Sequence, residues 1–512
     1  MAMKNFLNSV KIARNRYNTF DLTHDVKMSL NPGYLVPICC IDAVPGDKYS
    51  IGCEAMVRMM PMVAPIMHRQ DITMHYWFVP KRLLWDNFKN WRTNTKVDDA
   101  LPAFPVITLD DTNTPLGGLA DYMGLPVPMP SNGRFVSALP FAAYQLIYNE
   151  YYRDQNLIDE VEWKLEDGDN STNTDLLVLR RRAWEHDYFT AALPFAQKGD
   201  AVEIPIAAQV TLSPDLGPSN RQLIKDSGGT IIPNASLESE NLTGGLIADD
   251  GSTNPAWLDP NGSLEVANAE TSINDLRKAY ALQRFLEKMA RGGSRLAEFI
   301  RTVFGVKSSD ARLQRPEYIT GLKSPIMVGE VLNTTGTEDA PQGAMAGHGL
   351  GVTNGKYGSF YCEEDGYVIG IMSVMPRTAY QQGIPKHFMK WVDPFQMYLP
   401  DFAHIGEQEV MLEEVYCDLL NDTTEIFGYM PRYGEYKYEN NRVAGQFRTT
   451  LNHWHWGRIF DSKPELNQEF VECDPSNRIF AVTDPTEHKL LVHCLNKITK
   501  KSMMPKFGTP TF

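Results

Sequence analysis

The feature that most constrains this sequence is its one long helical signal, residues 272–316, in a chain that otherwise consists of short apolar runs and turns. Apolar residues recur there at three- and four-residue intervals with lysine and arginine between them, which is the spacing of an amphipathic helix. Gly292 and Gly293 interrupt the pattern, and Gly305 follows a second apolar face. We therefore predict two helices that are joined at a glycine corner and packed on a core built from other elements.

The rest of the chain predicts a mainly β fold. Turn signals such as Asn-Pro-Gly at 31–33 and Pro-Gly-Asp at 45–47 separate short runs rich in β-branched and aromatic residues. The predicted strands are 34–41, 48–59, 72–79, 367–374, 411–416, 424–430, 436–438, 451–460 and 478–482. A short helix is predicted at 138–152, and a hairpin with arms at 161–165 and 176–179.

Two polar segments predict excursions from this fold. Residues 210–271 have the composition of a loop, but interspersed isoleucine, leucine and tryptophan favour an ordered surface segment. Residues 333–358 are rich in glycine and contain no long apolar run, so they predict a second loop.

The charge is distributed unevenly. The net charge is −14, yet residues 1–20 and 489–512 contain nine basic residues and no acidic ones, which leaves −23 for the rest. Two basic, mobile ends could reach phosphates, whereas an acidic body could not bind nucleic acid over its whole surface. The alternative is that these lysines only keep the ends soluble. The candidate nucleic-acid-binding residues are Lys4, Lys11, Arg14, Arg16, Lys497, Lys500, Lys501 and Lys506.

Several classes of protein are excluded by composition. No run of eighteen apolar residues and no hydrophobic signal core is present, so we predict neither a membrane span nor ordinary secretion. The seven cysteines are scattered and form no C-x-x-C pair, which argues against a zinc site or a disulfide framework and favours a reducing compartment. We predict no metal site and no cofactor.

Catalytic signatures are also absent. The sequence contains no G-x-S-x-G, H-E-x-x-H or phosphate-loop motif. His453 and His455 have the spacing of metal ligands but no third ligand nearby, and His186 with Asp187 suits a buried polar anchor, so we predict structural roles for both pairs. Carboxylates are the one remaining candidate for an acid and base pair, although nothing fixes their separation; they are Glu407, Glu413 and Glu414.

Short motifs along the whole chain carry a resemblance to a known family. They include GYLVP at 33–37, PGD at 45–47, FVP at 78–80, HDYFT at 186–190, INDLR at 273–277, ARGG at 290–293, SDARLQRPEY at 309–318, YQQG at 380–383 and FAHIGEQ at 402–408. With these motifs in this order, the chain resembles the major capsid proteins of the Microviridae, in their gokushovirus-like branch. The resemblance covers most of the chain except 210–271, 333–358 and parts of 87–137.

The resemblance implies a structural protein and no enzyme. The implied fold is an eight-stranded antiparallel jelly roll of the viral capsid type with long loop and helical insertions. Sixty copies would form a T=1 icosahedral shell around a circular single-stranded DNA genome, assembled in the cytoplasm of a bacterial host. Further implied partners are a small basic DNA-binding protein, a pilot protein of the same virion and a bacterial surface receptor, without membrane insertion.

The resemblance also organises the chain. We predict a basic arm at 1–20, the first part of the jelly roll at 21–209, a three-fold surface protrusion at 210–271, a helical buttress and the second part of the jelly roll at 272–488, and a basic tail at 489–512. Candidate host-contact residues are Ile232, Asn241 and Trp257, and candidate inter-subunit residues are Arg312 and Arg315. The alternative function is a β-sandwich that binds carbohydrate or hydrolyses glycosides.

Overall fold

The computed structural model describes most of the chain and divides it into two compact units. The described residues are 17–93, 101–200, 202, 273–334, 342–355, 357–417 and 425–507, together with the backbone of seven short strands between residues 210 and 266. The first unit comprises Met1–Ala196 and Met289–Phe512, and the second comprises Gln197–Lys288.

Strands dominate the described residues, which confirms the mainly β prediction. Before residue 197 they are β1 (Asn18–Asp21), β2 (His24–Leu30), β3 (Val36–Ala43), β4 (Lys48–Met59), β5 (Gln70–Pro80), β6 (Val106–Leu109) and β7 (Arg134–Ser137). The second unit contains β8 (Val210–Leu212), β9 (Leu223–Lys225), β10 (Ile231–Ile232), β11 (Leu237–Ser239), β12 (Leu246–Ala248), β13 (Trp257–Asp259) and β14 (Leu264–Val266). The first unit then continues with β15 (Glu317–Pro325), β16 (Met327–Leu332), β17 (Met345–Asn354), β18 (Gly358–Tyr361), β19 (Gly366–Pro376), β20 (Glu407–Met411), β21 (Ile426–Pro431) and β22 (Leu490–Ser502).

Helices are fewer, and the predicted ones are present. They are α1 (Lys81–Leu84), α2 (Phe88–Thr93), α3 (Leu119–Tyr122), α4 (Leu139–Ile147), α5 (Ile273–Gly292), α6 (Leu296–Phe304) and α7 (Gln468–Val471). Gly305 ends α6 in a left-handed conformation with φ 70°, as predicted.

The predicted packing of α6 on an apolar core is wrong. No side chain of α6 is fully buried, and Leu296 and Phe304 are largely exposed. Polar contacts hold this helix instead. Ser294 donates its amide to the side chain of Gln155 at 2.7 Å, and the Arg295 guanidinium donates to the carbonyl of Arg153 at 2.9 Å.

Two antiparallel sheets face each other across the main core. One sheet has the order β1-β22-β4-β17-β16, with β18 also paired to β4 and β2 to β22, and the other has the order β15-β5-β19-β3. Alternate residues of β22 are buried along its thirteen positions, as expected for a strand with one packed face. The buried side chains between the sheets include Ile51, Val57, Tyr76, Met372 and Ile498. This arrangement is a β-sandwich.

A second core lies on the other side of the four-stranded sheet. Both faces of β5 and β19 are buried, because Trp77, Val79 and Ile369 pack against α4 on the side away from the sandwich. The hydroxyl of Tyr144 on α4 donates to the carbonyl of Leu35 at 2.8 Å and ties the helix to the sheet. A third apolar cluster surrounds β20 and β21.

Residues 333–358 were predicted to be a loop, and this prediction is wrong. Strand β17 and the start of β18 lie in this segment, and β17 pairs with both β16 and β4. The glycines of β17 face the core at points without room for a side chain. A Cβ added to Gly347 would lie 2.5 Å from the carbonyl oxygen of Ala64, and one added to Gly349 would lie 2.5 Å from the sulfur of Met59.

The prediction that residues 489–512 form a mobile tail is also wrong for most of their length. Strand β22 runs from Leu490 to Ser502 and lies between β4 and the strands β1 and β2. Lysines in the sequence obscured its alternation of buried and exposed positions. Its buried positions include Val492, Cys494 and Ile498.

Several short predicted strands are turns. Residues 451–460 contain the 3₁₀ turn Asn452–Trp454, and 478–482 and 436–438 overlap the 3₁₀ turns Asn477–Ile479 and Gly434–Tyr436. The predicted strand 411–416 includes only the last residue of β20, and the predicted hairpin at 161–179 has no ladder between its arms. In these segments, side chains form hydrogen bonds with backbone groups that a neighbouring strand would bond in a sheet. For example, the side chain of Asn149 accepts from the amide of Val161 at 3.1 Å.

Candidate functional site

The predicted basic residues fall into three groups. Lys4, Lys11, Arg14 and Arg16 lie outside the described residues. Lys497 and Lys500 form ion pairs within the chain. Lys501 and Lys506 are exposed, and the Lys506 ammonium lies 6.0 Å from the centre of the Phe507 ring.

Lys500 points into the protein. Its ammonium lies 2.7 Å from a carboxylate oxygen of Asp47, and both side chains are almost fully buried. The same Asp47 carboxylate accepts the amide of Val44 at 3.1 Å and the hydroxyl of Tyr49 at 3.4 Å. The ion pair between Lys500 and Asp47 therefore holds the end of β22 against the turn before β4.

Lys497 lies on the opposite side of β22. Its ammonium donates to Glu54 at 2.6 Å, and this hydrogen bond raises the pKa of Lys497. Both partners are about one-third exposed, so Lys497 stays charged and near solvent while its charge is largely balanced.

The structure brings together a group of side chains that the sequence did not connect. The face of the seven-stranded sheet that points away from the core is open, and three exposed tyrosines lie on it beside lysines. We call this group the basic–aromatic cluster; its members are Tyr17, Lys48, Tyr357, Tyr361, Lys497 and Lys501.

Strand register positions the cluster. Lys48 on β4 lies opposite Lys501 on β22 and opposite Tyr361 on β18. The Lys48 ammonium lies 5.6 Å from the ring centre of Tyr17 and 5.7 Å from that of Tyr361, within cation–π distance.

The third tyrosine of the cluster lies further along β4. The ring of Tyr357 rests against Gly52, because a Cβ at Gly52 would lie 2.7 Å from it, and Gly52 is the register partner of Lys497. The cluster thus extends over β4, β18 and β22 and combines ring faces with ammonium groups, the two features that a platform for single-stranded nucleic acid needs.

Charge on the cluster is locally positive. Among the described residues, Lys48 and Lys501 have no carboxylate at ion-pair distance, while Glu54 balances only Lys497. Asp21 and Asp25 are the other acids on this face. In sequence, Arg14 and Arg16 directly precede Tyr17, so the basic N-terminal segment enters the described chain at this cluster.

Arg315 and Arg312 differ in their surroundings. Arg315 donates to Asp310 at 2.8 Å, and its guanidinium lies 4.8 Å from the centre of the Tyr151 ring. Arg312 is exposed. Of the two candidate inter-subunit residues, Arg312 is therefore the one whose side chain lies at the surface.

Two of the candidate host-contact residues lie in one small sheet of the second unit. Ile232 is in β10 and Trp257 is in β13, and these strands flank β9 in a three-stranded antiparallel sheet. Asn241 lies outside the described residues.

The side chains considered for catalysis have structural contacts. Glu407 pairs with Arg291. The Glu414 carboxylate is 3.0 Å from Lys386, and its burial raises its pKa. Asp187 is buried and accepts the amide of Thr190 at 2.7 Å and the hydroxyl of Tyr380 at 2.7 Å, which confirms it as a polar anchor, whereas His186 is exposed and the same prediction is wrong for it.

One of the two histidine candidates for a metal site, His455, has structural contacts. The ring of His455 contacts the carbonyl of Phe447 at 2.8 Å and the amide of Gly457 at 2.9 Å, and its burial lowers its pKa. Within the described ranges, no group of three or more histidine, cysteine or acidic side chains could hold a metal ion, and no helix is long and apolar enough to cross a membrane.

Comparison with known proteins assigns the chain to a family. A family model described as capsid protein (F protein) matches residues 7–512. The chain belongs to this capsid protein family. Its similarity to capsid protein VP1 of Bdellovibrio phage phiMH2K is 34% identity over 98% of this chain and 96% of the relative. The values are 33% identity, over 94% of each protein, for capsid protein VP1 of Chlamydia phage 1, and 29% identity, over 96% of this chain and 94% of the relative, for that of Spiroplasma virus 4.

Membership of this family makes the chain a structural protein of a phage and not an enzyme. The resemblance to Microviridae capsid proteins is thereby confirmed. The set of collinear motifs is the sequence signal of this family. The basic–aromatic cluster was missed because its members come from four separate parts of the chain and meet only through strand pairing.

Proposed function

We propose that this chain is the major capsid protein of a small phage and that sixty copies form a T=1 shell around a circular single-stranded DNA genome. The two-sheet sandwich is then the eight-stranded jelly roll of the subunit, with the remaining strands as additions to it. In this proposal the protein is assembled in the host cytoplasm and works in the virion, beside a small basic DNA-binding protein and a pilot protein.

The observation that carries the DNA contact is the basic–aromatic cluster. Single-stranded DNA exposes unpaired bases that stack on aromatic rings and phosphates that attract ammonium groups. Tyr17, Tyr357 and Tyr361 offer exposed rings, and Lys48 and Lys501 offer charges with no acidic partner among the described residues. We therefore assign this open sheet face to the genome side of the shell, with Lys4, Lys11, Arg14 and Arg16 in the segment that precedes it.

A binding measurement on purified subunits tests this assignment. The double variant Lys48→Gln/Lys501→Gln should bind a short single-stranded oligonucleotide more weakly than the parent protein. Two lost phosphate contacts should also reduce the slope of log affinity against log salt concentration by about 1.4. Fluorescence anisotropy over a series of salt concentrations gives both quantities.

A matched control separates the cluster from net charge. The double variant Lys89→Gln/Lys437→Gln removes two exposed lysines outside the cluster and changes the net charge equally. We expect its affinity and salt slope to match those of the parent protein. Equal losses in the two double variants would mean that binding depends on total charge and not on this face.

The proposal gives the second unit a separate role. Residues 210–271 fall in the part of the chain that the resemblance did not cover, and Ile232, Asn241 and Trp257 are proposed there as host-contact residues. Arg312, which is exposed, and Arg315 are proposed at contacts between subunits.

A further inference from the structure

One segment of the first unit exposes an unusual amount of apolar surface. We call residues 386–405 the apolar arm. Every residue from 391 to 401 is exposed, and Trp391 is 81% exposed. Single exposed apolar residues are ordinary on protein surfaces, but a contiguous patch of large ones marks an interaction site. The large apolar side chains exposed on the arm are Phe388, Trp391, Val392, Phe395, Met397, Tyr398, Leu399 and Ile405.

The arm has a defined local structure. It contains three 3₁₀ turns, Lys386–Phe388, Pro394–Gln396 and Pro400–Phe402. The side chain of Asp393 accepts the amide of Phe395 at 2.9 Å and caps the second turn. The backbone of the arm is therefore shaped by its own turns and not by a sheet.

Buried polar contacts fasten the arm to the turn at 433–436. Lys390 pairs with Glu435, with both side chains about nine-tenths buried, and the Lys390 ammonium lies 3.8 Å from the ring centre of Tyr436. The hydroxyl of Tyr433 accepts the amide of Leu399 at 3.2 Å and donates to the carbonyl of Met397 at 3.3 Å. Because the polar groups face inward, the apolar side chains are held outward.

The chemistry of the arm selects a protein partner. Its exposed ionised side chains are the acids Asp393 and Asp401, while Lys386 and Lys390 are paired with buried carboxylates. Anionic lipid and DNA attract exposed lysine and arginine, so neither matches this surface. Aromatic side chains and methionine with few charges are typical of the centre of a protein–protein interface.

The size of the surface also fits a subunit contact. The arm exposes four aromatic side chains, each at least half exposed, and four other apolar side chains. Their combined accessible area is on the order of 1,000 Å². One partner in an interface of standard size contributes about 800 Å². The arm alone therefore offers enough apolar surface for one side of a stable contact.

We propose that the apolar arm docks on a second copy of this chain and forms a principal contact between neighbouring subunits of the shell. This inference rests on the proposed function, because a capsid subunit must bury surface against copies of itself. The arm then supplies apolar binding energy, and Trp391 is its central anchor, as expected for an exposed tryptophan at an interface.

Footprinting of the parent protein tests the contact without any substitution. Hydroxyl radicals oxidise exposed tryptophan and methionine, and mass spectrometry reports the extent at each residue. Trp391 and Met397 should be modified readily in isolated subunits and protected severalfold in assembled particles. Unchanged reactivity of both residues in particles would overturn the inference while the proposed function stands.

Variants extend the test to assembly. Trp391→Glu/Met397→Glu should lower the yield of particles in sedimentation by about tenfold or more, while Trp391→Phe should keep it. Both substituted side chains are exposed, so the subunit of either variant should keep the parental circular dichroism spectrum. Parental yield in the double variant would contradict the inference. A parent protein that forms no particles under any condition would instead contradict the proposed function.

Discussion

At the scale of single residues, burial separates two lysines that look alike in the sequence. Lys500 and Asp47 form a pair that is almost fully buried, whereas Lys497 and Glu54 form a pair near solvent. Removing one member of a buried pair leaves an uncompensated charge in the interior, which costs about 3–5 kcal/mol. We predict that Lys500→Met lowers the free energy of unfolding of the subunit by this amount, measured by urea denaturation with circular dichroism.

The matched variant is Lys497→Met on the same strand. It removes one member of a solvent-exposed pair, so we expect the urea midpoint to stay near that of the parent protein. The two variants also distinguish the roles considered for these lysines. If Lys500→Met unfolded at the parental urea concentration but lost affinity for single-stranded DNA, Lys500 would bind DNA and would not act as an internal fastener.

At the scale of elements, local patterns predicted those elements whose signal lies within their own residues. The amphipathic spacing around Leu296 and the stop at Gly305 located α6, and β-branched and aromatic residues located β5. Strands β17 and β22 were not predicted, because the glycines of one and the lysines of the other are explained only by contacts with residues that are distant in the sequence. Gly347 leaves room for the backbone of Ala64, and Lys500 has a buried partner that is 453 positions away in the chain.

The corner between α5 and α6 supports a prediction about an element. Gly293 has φ 93°, and a Cβ there would lie 2.0 Å from a carboxylate oxygen of Glu298 and 2.6 Å from the amide nitrogen of Gln155. The side chain of Gln155 donates to Glu298 at 2.7 Å, so a new methyl group would break this contact as well as strain the backbone. We predict that Gly293→Ala lowers the thermal unfolding midpoint of the subunit and the yield of particles.

Gly305→Ala is the control for backbone strain alone. Gly305 also has a positive φ, 70°, but no atom lies within 4 Å of a Cβ built there. Its substitution should cost about 1 kcal/mol, the penalty of a left-handed conformation for a residue with a side chain. Gly293→Ala should be clearly worse, and equal midpoints for the two variants would show that the packing at the corner contributes nothing.

At the scale of the whole molecule, the class of protein could be predicted from the sequence, whereas its functional surfaces could not. Collinear motifs predicted membership of the capsid family, and this prediction is confirmed. A motif is a local pattern of residues, so it can be identified in the sequence before the fold is known. The basic–aromatic cluster and the apolar arm could not be predicted in this way. The first needs the register of β4 with β18 and β22, and the second needs the buried pair of Lys390 and Glu435 that turns its apolar side chains outward.

The last prediction concerns the polar excursion of the second unit, whose two ends pair with each other. Strands β8 and β14 pair at the two ends of residues 210–266, with Val210 opposite Val266. Register partners in an antiparallel ladder lie about 5 Å apart, so a short glycine-serine linker can join them. Replacing residues 211–265 with such a linker should therefore leave the first unit, with its own cores, able to fold.

We predict that this deletion variant still assembles into particles but no longer adsorbs to host cells, since the excursion is proposed to contact the receptor. Sedimentation measures assembly, and depletion of free particles by host cells measures adsorption. A scrambled version of residues 211–265 with unchanged composition controls for the loss of mass and charge, and it should also fail to adsorb. If the deletion variant failed to assemble while its subunits remained folded, the excursion would belong to a contact between subunits, and the host-contact role of Ile232, Asn241 and Trp257 would be wrong.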